Sequence, residues 1–231
     1  MVQFLNIPKH IGFIMDGNGR WAQLKGQPRA KGHQAGLNRV DDVLQMCQKY
    51  NVQYVSLFVF STENWSRPQS EVDYLFELSK SYLDNSKNFL NRDIRVLVSG
   101  NRNGLPADLV EKIENIQQIT KNCKSLVLNL CINYGGRDEI VSAVTKILSL
   151  GKQVDEKTLA ENLYNPQVPD LDLIVRTSGE MRLSNFMLFR AAYAELYFTD
   201  VLWPDFDEGE FVHMLSSYNK RERKFGDIKN K

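Results

Sequence analysis

Five short apolar runs, each ending abruptly in polar residues and glycine, constrain the fold of this chain more than any other feature. They occupy residues 11–15, 54–60, 94–98, 126–132 and 171–175. Near-continuous runs of Val, Ile, Leu and Phe are typical of strands that are covered on both faces, as in a parallel sheet. The sequence therefore predicts five buried strands.

Stretches with a helical spacing of apolar residues lie between these runs. They cover residues 37–50, 72–90, 109–116 and 140–148, and the second stretch is interrupted at Ser79 and Ser86. Strands that alternate with helices predict a doubly wound α/β fold. We therefore expect one domain over residues 1–231, with a central, mostly parallel sheet flanked by helices.

Composition narrows the class of protein. Hydrophobic residues make up 42% of the 231 residues, enough for a sizeable core, and the formal net charge is +1. Nucleic-acid-binding domains usually carry a clear basic excess, so no nucleic-acid partner is expected. No apolar run approaches the ~20 residues of a membrane span. The N-terminus lacks a signal-peptide pattern, and the cysteines lack metal-ligand spacing. These features favour a cytoplasmic protein.

The segment 16–20, which follows the first run, carries an aspartate, two glycines and an arginine. In doubly wound sheets, ligands bind outside the carboxyl ends of the strands. Glycines there allow a backbone to approach an anion closely, although a glycine turn after a strand is also common for steric reasons alone. The Walker and dinucleotide-binding glycine patterns are absent, which disfavours ATP and dinucleotides.

Basic side chains also collect at the predicted strand ends and helix starts. Scattered arginines are usually solvated surface, but at one sheet edge they would match the oxygens of a diphosphate. The segment 176–184 adds two guanidiniums, three hydroxyls and a glycine, which favours a second phosphate site over a solvated loop. The basic candidates are Arg20, Arg29, His33, Arg67, Arg176 and Arg182.

Two carboxylates are candidates for a metal site. Mg²⁺ is commonly bound by one or two carboxylates together with substrate phosphates. Asp16 lies at a predicted strand end, and Glu195 lies in an otherwise apolar stretch, where the alternative is a buried partner for an arginine. The aromatic helix at 75–90 is either ordinary core or a wall for a hydrocarbon. The residues thus predict a Mg²⁺-dependent enzyme acting on phosphorylated ligands.

Motifs spread over nearly the whole chain resemble those of a known family. They are HIGFIMDGNGRWA (10–22), RAKGH (29–33), FVFSTENWSRP (58–68), NYGGR (133–137), RTSGE (176–180) with Arg182 and Ser184, and AELYF (194–198). In this order they resemble the cis-prenyltransferases, the undecaprenyl diphosphate synthase-like isoprenyl transferases. The resemblance implies sequential condensation of isopentenyl diphosphate onto an allylic diphosphate such as farnesyl diphosphate.

The resemblance also implies roles for individual residues. Asp16 would be the catalytic aspartate that engages Mg²⁺ and the diphosphate, and Glu195 would be the second metal ligand. Asn64 stands where a proton-accepting or relaying role is usually assigned, although an amide is a poor base. The allylic diphosphate would be held by Gly17, Asn18, Gly19, Arg20, Arg29 and His33. The reacting region would be lined by Trp21, Ser61, Thr62, Glu63, Trp65 and Arg67. Isopentenyl diphosphate would be held by Arg176, Arg182, Leu183 and Ser184.

A hydrophobic tunnel beside the sheet is implied as well, built from residues 75–90 and the strand around 126–132. Enlarging Leu126 or Leu128 is expected to change the product distribution if the tunnel floor limits product length. The family implies a homodimer and a polyprenyl product, expected to be undecaprenyl diphosphate for the cell-wall lipid carrier. Membrane contact would be peripheral, through the lipid product.

Three positions depart from the family pattern. Arg190 stands where glutamine is common, which would place an extra charge near the metal acid, and Phe189 replaces a frequent tryptophan. Lys224 stands in a segment (224–226) where some members have an arginine that reaches a diphosphate across the dimer. These departures bear on affinity and on the dimer contact.

A shorter-chain cis-prenyl diphosphate synthase is the alternative within the same family, and three other functions differ from it in class. A non-catalytic partner subunit of the same fold typically lacks the metal aspartate or the arginine cluster, and this chain keeps both. A Mg²⁺-dependent phosphatase would release phosphate without consuming isopentenyl diphosphate. A trans-prenyltransferase is disfavoured because the Asp41-Asp42 pair continues as Val-Leu-Gln and reads as the exposed face of a helix.

Overall fold

All five apolar runs form strands of one sheet in the computed structural model, which describes residues 4–221. The strand order is β3-β4-β2-β1-β5-β6, and all five pairings between neighbouring strands are parallel. The predicted single-domain α/β fold is confirmed, with a sheet that is wholly parallel. The strands are β1 (His10–Ile14), β2 (Tyr54–Ser61), β3 (Ile94–Ser99), β4 (Leu126–Tyr134), β5 (Leu173–Arg176) and β6 (Glu195–Phe198).

Eight α-helices flank the sheet in the described part of the chain. The predicted stretch 72–90 is divided between two helices, α3 and α4. Ser79 does not interrupt α3, because its hydroxyl donates to the Leu75 carbonyl at 2.8 Å and so stays within the helix. The helices are α1 (Asn18–Leu24), α2 (Arg29–Lys49), α3 (Gln69–Leu83), α4 (Ser86–Asn91), α5 (Ala107–Ile119), α6 (Gly136–Ser149), α7 (Glu156–Asn162) and α8 (Glu208–Asn219).

The two faces of the sheet are covered by different core clusters. Ile11 and Phe13 of β1 point into the larger cluster, to which α2, α3, α5 and α8 contribute, whereas Ile14 belongs to a second cluster with Phe186. Burial on both faces explains why the strand sequences are nearly continuous apolar runs. Within residues 4–221, no helix combines the length and the apolar character needed to cross a bilayer.

The strand order fixes where a ligand site is expected. The chain leaves β1 towards its neighbour β2 on one side, whereas β5, which pairs with β1 on the other side, leads away to β6. The topological switch point therefore lies between β1 and β5. Ligands of doubly wound sheets bind outside the carboxyl ends of the strands at this point.

His10 begins β1, at the end of the sheet opposite the carboxyl ends of the strands, and is completely buried. Its Nδ1 lies 2.8 Å from the Pro169 carbonyl and its Nε2 lies 2.8 Å from Ser56 Oγ. Asn129 Nδ2 donates to the same hydroxyl at 3.0 Å, and Ser99 Oγ donates to Asn129 Oδ1 at 2.8 Å. Hydrogen bonds thus link β1, β2, β4 and β3 across one face of the sheet. His10 contributes to the fold, although it stands in a motif that signals function.

Burial lowers the pKa of His10 from 6.5 to about 4. The folded protein keeps the ring neutral where the unfolded chain protonates it, so the unfolded chain binds the extra proton between these two pH values. We expect the free energy of unfolding to fall as pH is lowered from about 6.5 to about 4, by up to about 1.4 kcal/mol per pH unit from this group. Urea unfolding of the wild type and His10→Gln over this range measures the contribution. Equal pH slopes for the two proteins would contradict it.

Candidate active site

An ion pair between Asp16 and Arg176 lies at the switch point. Asp16 follows β1, Arg176 ends β5, and the register pairs Ile14 with Arg176. Arg176 Nη2 donates to Asp16 Oδ2 at 2.9 Å, and the arginine side chain is 4% exposed while the aspartate is 37% exposed. Asp16 N also donates to Thr177 Oγ1 at 2.9 Å. The structure therefore brings together two predicted site residues that are 160 positions apart.

The other terminal nitrogen of Arg176, Nη1, contacts the segment that is predicted to bind isopentenyl diphosphate. Its Nη1 donates to the Arg182 carbonyl and to Ser184 Oγ, each at 2.6 Å. The Arg182 guanidinium points elsewhere, because it pairs with Glu180 and is 59% exposed. Leu183 packs against the second core cluster. Arg176 and Ser184 thus face the switch point, whereas Arg182 lies at the surface.

Close backbone contacts place the start of α2 against the 16–20 segment. A Cβ on Gly32 would lie 1.8 Å from the Asn18 carbonyl oxygen, and a Cβ on Gly19 would lie 2.6 Å from Arg29 Nη1. Only glycine leaves room at position 32, where the neighbour is backbone, whereas at position 19 the Arg29 side chain could move aside. The approach brings Arg29 and His33, one turn apart on α2, beside Gly19. Packing therefore requires the 29–33 motif to lie against the 16–20 segment, whatever the two motifs bind.

Arg20 and Trp21 of α1 tie this segment to other loops. Arg20 Nη1 donates to the Ser178 carbonyl at 2.9 Å, and its Nη2 lies 3.5 Å from Glu180 Oε1. Trp21 Nε1 donates to Asp205 Oδ1 at 2.7 Å. Both side chains hold neighbouring loops around the site.

Glu71 collects three of the predicted cationic residues. Its Oε1 lies 3.0 Å from Arg67 Nη1, 3.4 Å from Arg29 Nη2 and 3.5 Å from His33 Nε2. Burial lowers the pKa of His33. Sequence reasoning missed Glu71, since its position four residues after Arg67 indicates only the local pair with that arginine.

The segment after β2 forms a short 3₁₀ helix (Thr62–Ser66) whose first turn is closed by Asn64. The Ser61 N–H donates to Asn64 Oδ1 at 3.1 Å, so the amide oxygen already accepts a backbone proton. Trp65 Nε1 donates to Asn133 Oδ1 at 2.8 Å. Asn64 therefore presents its Nδ2 as the group free to contact a ligand, and that nitrogen is a donor.

A second missed residue, Asn185, fixes the other side of this turn. Its Nδ2 donates to Glu63 Oε1 at 2.8 Å, and its Oδ1 accepts the Arg137 N–H at 2.9 Å. Asn185 has a φ of 66°, a conformation in which asparagine is enriched. A shallower cavity of about 480 Å³ lies here and is bordered by Ser61, Glu63, Asn64, Arg137, Ser184, Asn185 and Leu188.

The main cavity, of about 260 Å³, runs from the Asp16–Arg176 pair towards the larger core cluster. Its wall includes Leu130 and Ile132 of β4, but neither Leu126 nor Leu128, which are fully buried further along the strand. Its polar lining consists of Asp16, Asn18, His33, Ser61, Asn64, Arg67, Ser79, Arg176 and Ser184. Its apolar lining includes Leu37, Val40, Leu57, Val59, Leu75, Leu78 and Tyr82.

Comparison with known proteins agrees with this geometry. The family described as "Putative undecaprenyl diphosphate synthase" matches residues 14–226. Isoprenyl transferases of Fusobacterium nucleatum and Thermotoga maritima are 49% and 45% identical, over 97% and 98% of this chain and 98% and 100% of theirs. The chain belongs to the undecaprenyl diphosphate synthase family.

Solved structures of this prenyltransferase family share the fold. A probable undecaprenyl diphosphate synthase from Campylobacter jejuni superimposes with a TM-score of 0.84 at 35% identity, covering 96% of this chain and 100% of that one. Lavandulyl diphosphate synthase from Lavandula x intermedia, in complex with dimethylallyl diphosphate, gives a TM-score of 0.91 at 31% identity, covering 95% and 98%. The chain is therefore a transferase, which disfavours the phosphatase and the non-catalytic subunit.

Glu195, the predicted second metal ligand, lies away from Asp16 in this prenyltransferase. It starts β6 opposite Leu173, whereas Arg176 lies opposite Phe198 at the other end of the pairing. Three strand residues correspond to about 10 Å. Arg221 Nη1 donates to Glu195 Oε2 at 2.8 Å. Joint metal binding by both carboxylates of one chain is therefore not supported, and the alternative of an arginine partner describes Glu195.

The oxygen atoms near Asp16 nevertheless suit Mg²⁺. Asn18 is part of the lining of the main cavity, and its Oδ1, which lies against Gly36, is buried without a hydrogen-bond partner. Among the residues that the structure describes, no three His, Cys, Asp or Glu side chains gather into a metal site. One carboxylate and one amide oxygen fit a Mg²⁺ ion that takes its other ligands from phosphate and water.

The departures from the family pattern have separate outcomes. Arg190 is buried, and its guanidinium donates to the carbonyls of Val168, Tyr164 and Asn165. The guanidinium is thus bound to the carbonyls of that loop, and the structure does not support the expected extra charge near the predicted metal-binding carboxylate. Phe189 is half-buried, and segment 224–226 lies outside the described residues.

The Asp41-Asp42 pair lies on α2. Asp42 is exposed and pairs with Arg39, as expected of a helix surface. Asp41 is half-buried and accepts from Tyr82 and Arg92, both at 3.4 Å. Asp41 therefore connects α2 to its neighbours, and only Asp42 lies on the exposed helix face that the sequence predicts for both.

The Gly32 contact with Asn18 leads to a stability prediction. Gly32→Ala should lower the free energy of unfolding by about 1–3 kcal/mol, because a methyl group 1.8 Å from a carbonyl oxygen forces α1 and α2 apart. Gly209→Ala is the matched control, since its Cβ would meet only the end of the Asp207 side chain, at 3.2 Å. This control should change stability by no more than about 1 kcal/mol. Urea unfolding measures both, and equal effects would contradict the proposed steric role of Gly32.

Proposed function

We propose that this chain catalyses Mg²⁺-dependent cis-prenyl chain elongation, joining isopentenyl diphosphate to an allylic diphosphate. One observation carries the proposal: a single cavity has a charged mouth at Asp16 and Arg176 and an apolar interior between α2, α3 and the sheet. A substrate with an anionic head and a hydrocarbon tail matches both ends of such a cavity.

Two groups of hydrogen-bond donors, each containing at least one arginine, would hold the two diphosphates. Arg29, His33 and Arg67 lie together and would bind the allylic diphosphate. Arg176 and Ser184 lie together across the mouth and would bind isopentenyl diphosphate. Guanidinium forks match phosphate oxygens and can form paired hydrogen bonds to them. The two substrates would thus meet beside Asp16.

The condensation forms a carbon–carbon bond as the allylic carbon–oxygen bond breaks, releasing diphosphate and a proton. Asp16, with Asn18 beside it, would hold a Mg²⁺ ion, whose chemistry is to neutralise charge on the departing diphosphate. The arginines add fixed positive charge at the same oxygens. The apolar walls exclude water from the reactive allylic carbon. Asn64 would orient a substrate through its Nδ2, since its oxygen is already bonded to the Ser61 N–H.

The growing chain would extend into the apolar end of the cavity. Leu75, Leu78 and Ser79 of α3 face Leu130 and Ile132 of β4 across this space. Successive additions would lengthen the tail until it meets packed core, which would limit product length. The likeness to lavandulyl diphosphate synthase supports a second candidate, a short-chain product, and product sizing separates the two.

The oligomeric state, the product and the cellular location are also part of the proposal. We propose a homodimer, supported by the position of β6 at the sheet edge and by the 38% exposure of its Leu196. Exposed strand edges commonly pair with another chain or are covered. The proposed product is undecaprenyl diphosphate for the cell-wall lipid carrier. It would be made in the cytoplasm, with peripheral membrane contact through the product.

A condensation assay tests the proposed activity. Pure protein with Mg²⁺, farnesyl diphosphate and labelled isopentenyl diphosphate should yield labelled polyprenyl diphosphates with cis double bonds. Asp16→Ala should lower turnover at least ~100-fold, because it removes the one carboxylate at the mouth. Asp42→Ala, an exposed carboxylate on α2, should leave turnover unchanged. Release of phosphate without incorporation of label, or full turnover by Asp16→Ala, would refute the mechanism.

The product-length hypothesis can be tested with two serines of α3. Ser79 is buried and lines the cavity, whereas Ser81 is exposed on the same helix. Ser79→Phe should shift the products to shorter chains by one or more five-carbon units, because the ring occupies space needed by the tail. Ser81→Phe should leave the distribution unchanged. Chromatographic sizing of the products measures both. Identical distributions would place the tail elsewhere.

A further inference from the structure

Glu71 contacts the basic side chains of the proposed allylic site from outside the main cavity. One of its oxygens, Oε1, is shared by Arg67 at 3.0 Å, Arg29 at 3.4 Å and His33 at 3.5 Å. Arg29 and His33 belong to α2, and Arg67 precedes α3. Glu71 lies in the first turn of α3, where a negative charge is favourable. A single carboxylate therefore lies against two guanidiniums and one imidazole, contributed by α2 and by the residue before α3.

The position of Glu71 separates it from a ligand in the main cavity. His33 and Arg67 border that cavity, but Glu71 is not part of its lining. The Glu71 side chain is 18% exposed, and it contacts Arg29, His33 and Arg67. Glu71 can therefore act on a bound diphosphate only through the side chains that it holds.

Electrostatics explains why a carboxylate is needed at this position. Burial alone would raise the pKa of Glu71, but the guanidiniums of Arg29 and Arg67 outweigh burial and lower it, so the carboxylate is ionised at neutral pH. Without this charge the two guanidiniums would repel each other and turn towards solvent. Each would then have to be immobilised again when a diphosphate binds.

Two opposite effects on binding follow from the same carboxylate. Its negative charge weakens the attraction of the site for an anion, whereas its hydrogen bonds fix the directions of two long side chains. Restoring the order of one such side chain costs about two- to tenfold in affinity. The repulsion of a partly exposed charge is reduced by solvent and salt. The loss of order is therefore the larger effect when Glu71 is removed.

We propose that Glu71 is a positioning residue for the allylic diphosphate, which keeps Arg29, His33 and Arg67 directed at one anion site. The identity of the ligand rests on the proposed function. The positioning role rests on the shared Oε1 contacts.

The test compares Glu71→Ala and Glu71→Gln with Glu77→Gln. Glu77 lies on the same helix and also forms an ion pair, with Lys80, but its side chain is 69% exposed and away from the site. Calorimetry gives the Kd of farnesyl diphosphate and of inorganic pyrophosphate, and steady-state kinetics gives kcat and both KM values. Thermal unfolding of each variant reports on folding.

Glu71→Ala should raise the Kd and KM of farnesyl diphosphate about tenfold, from two freed arginines. Glu71→Gln should raise them less, because its amide oxygen still accepts a hydrogen bond. The KM of isopentenyl diphosphate and kcat should stay within about twofold, since Arg176 and Ser184 do not contact Glu71. Glu77→Gln should match the wild type.

Three results would overturn the proposal. Binding of farnesyl diphosphate that is unchanged or tighter in Glu71→Ala would mean that the carboxylate only competes with the ligand. An equal rise in both KM values would indicate general damage to the fold. A wild type that binds neither probe would remove the anion site itself. Wild-type binding that Glu71→Ala weakens, without any condensation product, would instead refute the proposed function and leave the positioning role intact.

Discussion

The ion pair between Asp16 and Arg176 depends on the parallel pairing of β1 with β5, and the rest of the site is arranged around it. Because the two strands run in the same direction, their carboxyl ends lie side by side and the two side chains meet at 2.9 Å. Arg176 then uses its other nitrogen to hold Ser184. A guanidinium that is 4% exposed needs such partners, since a buried charge without them is costly.

The second half of the site is held by packing between helices. Gly32 lets α2 approach the Asn18 carbonyl, and this approach carries Arg29 and His33 to the mouth of the cavity. Glu71 then links these residues to Arg67. The two proposed phosphate sites thus have different origins, one in strand register and one in helix packing. A change to one can leave the other intact.

Five of the six strands, the helix alternation and the meeting of Asp16 with Arg176 could be predicted from the sequence, because apolar runs mark buried strands and the carboxyl ends of parallel strands lie together. The short strand β6 was missed. Glu195 could not be placed in this way. The sequence shows an acid in an otherwise apolar stretch but not its place in a strand, and the register with Leu173 reveals that Glu195 starts β6. Glu71 was missed because a Glu four residues after an Arg looks like an ordinary surface pair. Its value lies in contacts with Arg29 and His33, some 40 residues away, which no local pattern contains.

The location of Glu195 changes how metal binding by one chain is understood. With Asp16 as the carboxylate at the cavity mouth, most oxygens around a Mg²⁺ ion must come from the diphosphate and from water. Metal and diphosphate would then each raise the affinity of the other, because binding free energies are reciprocal between linked sites. The ion pair is consistent with such coupling, because an Asp16 that serves as a metal ligand would leave the Arg176 guanidinium to a phosphate. A second protein carboxylate at the same place would weaken this dependence, since the metal could then bind without substrate.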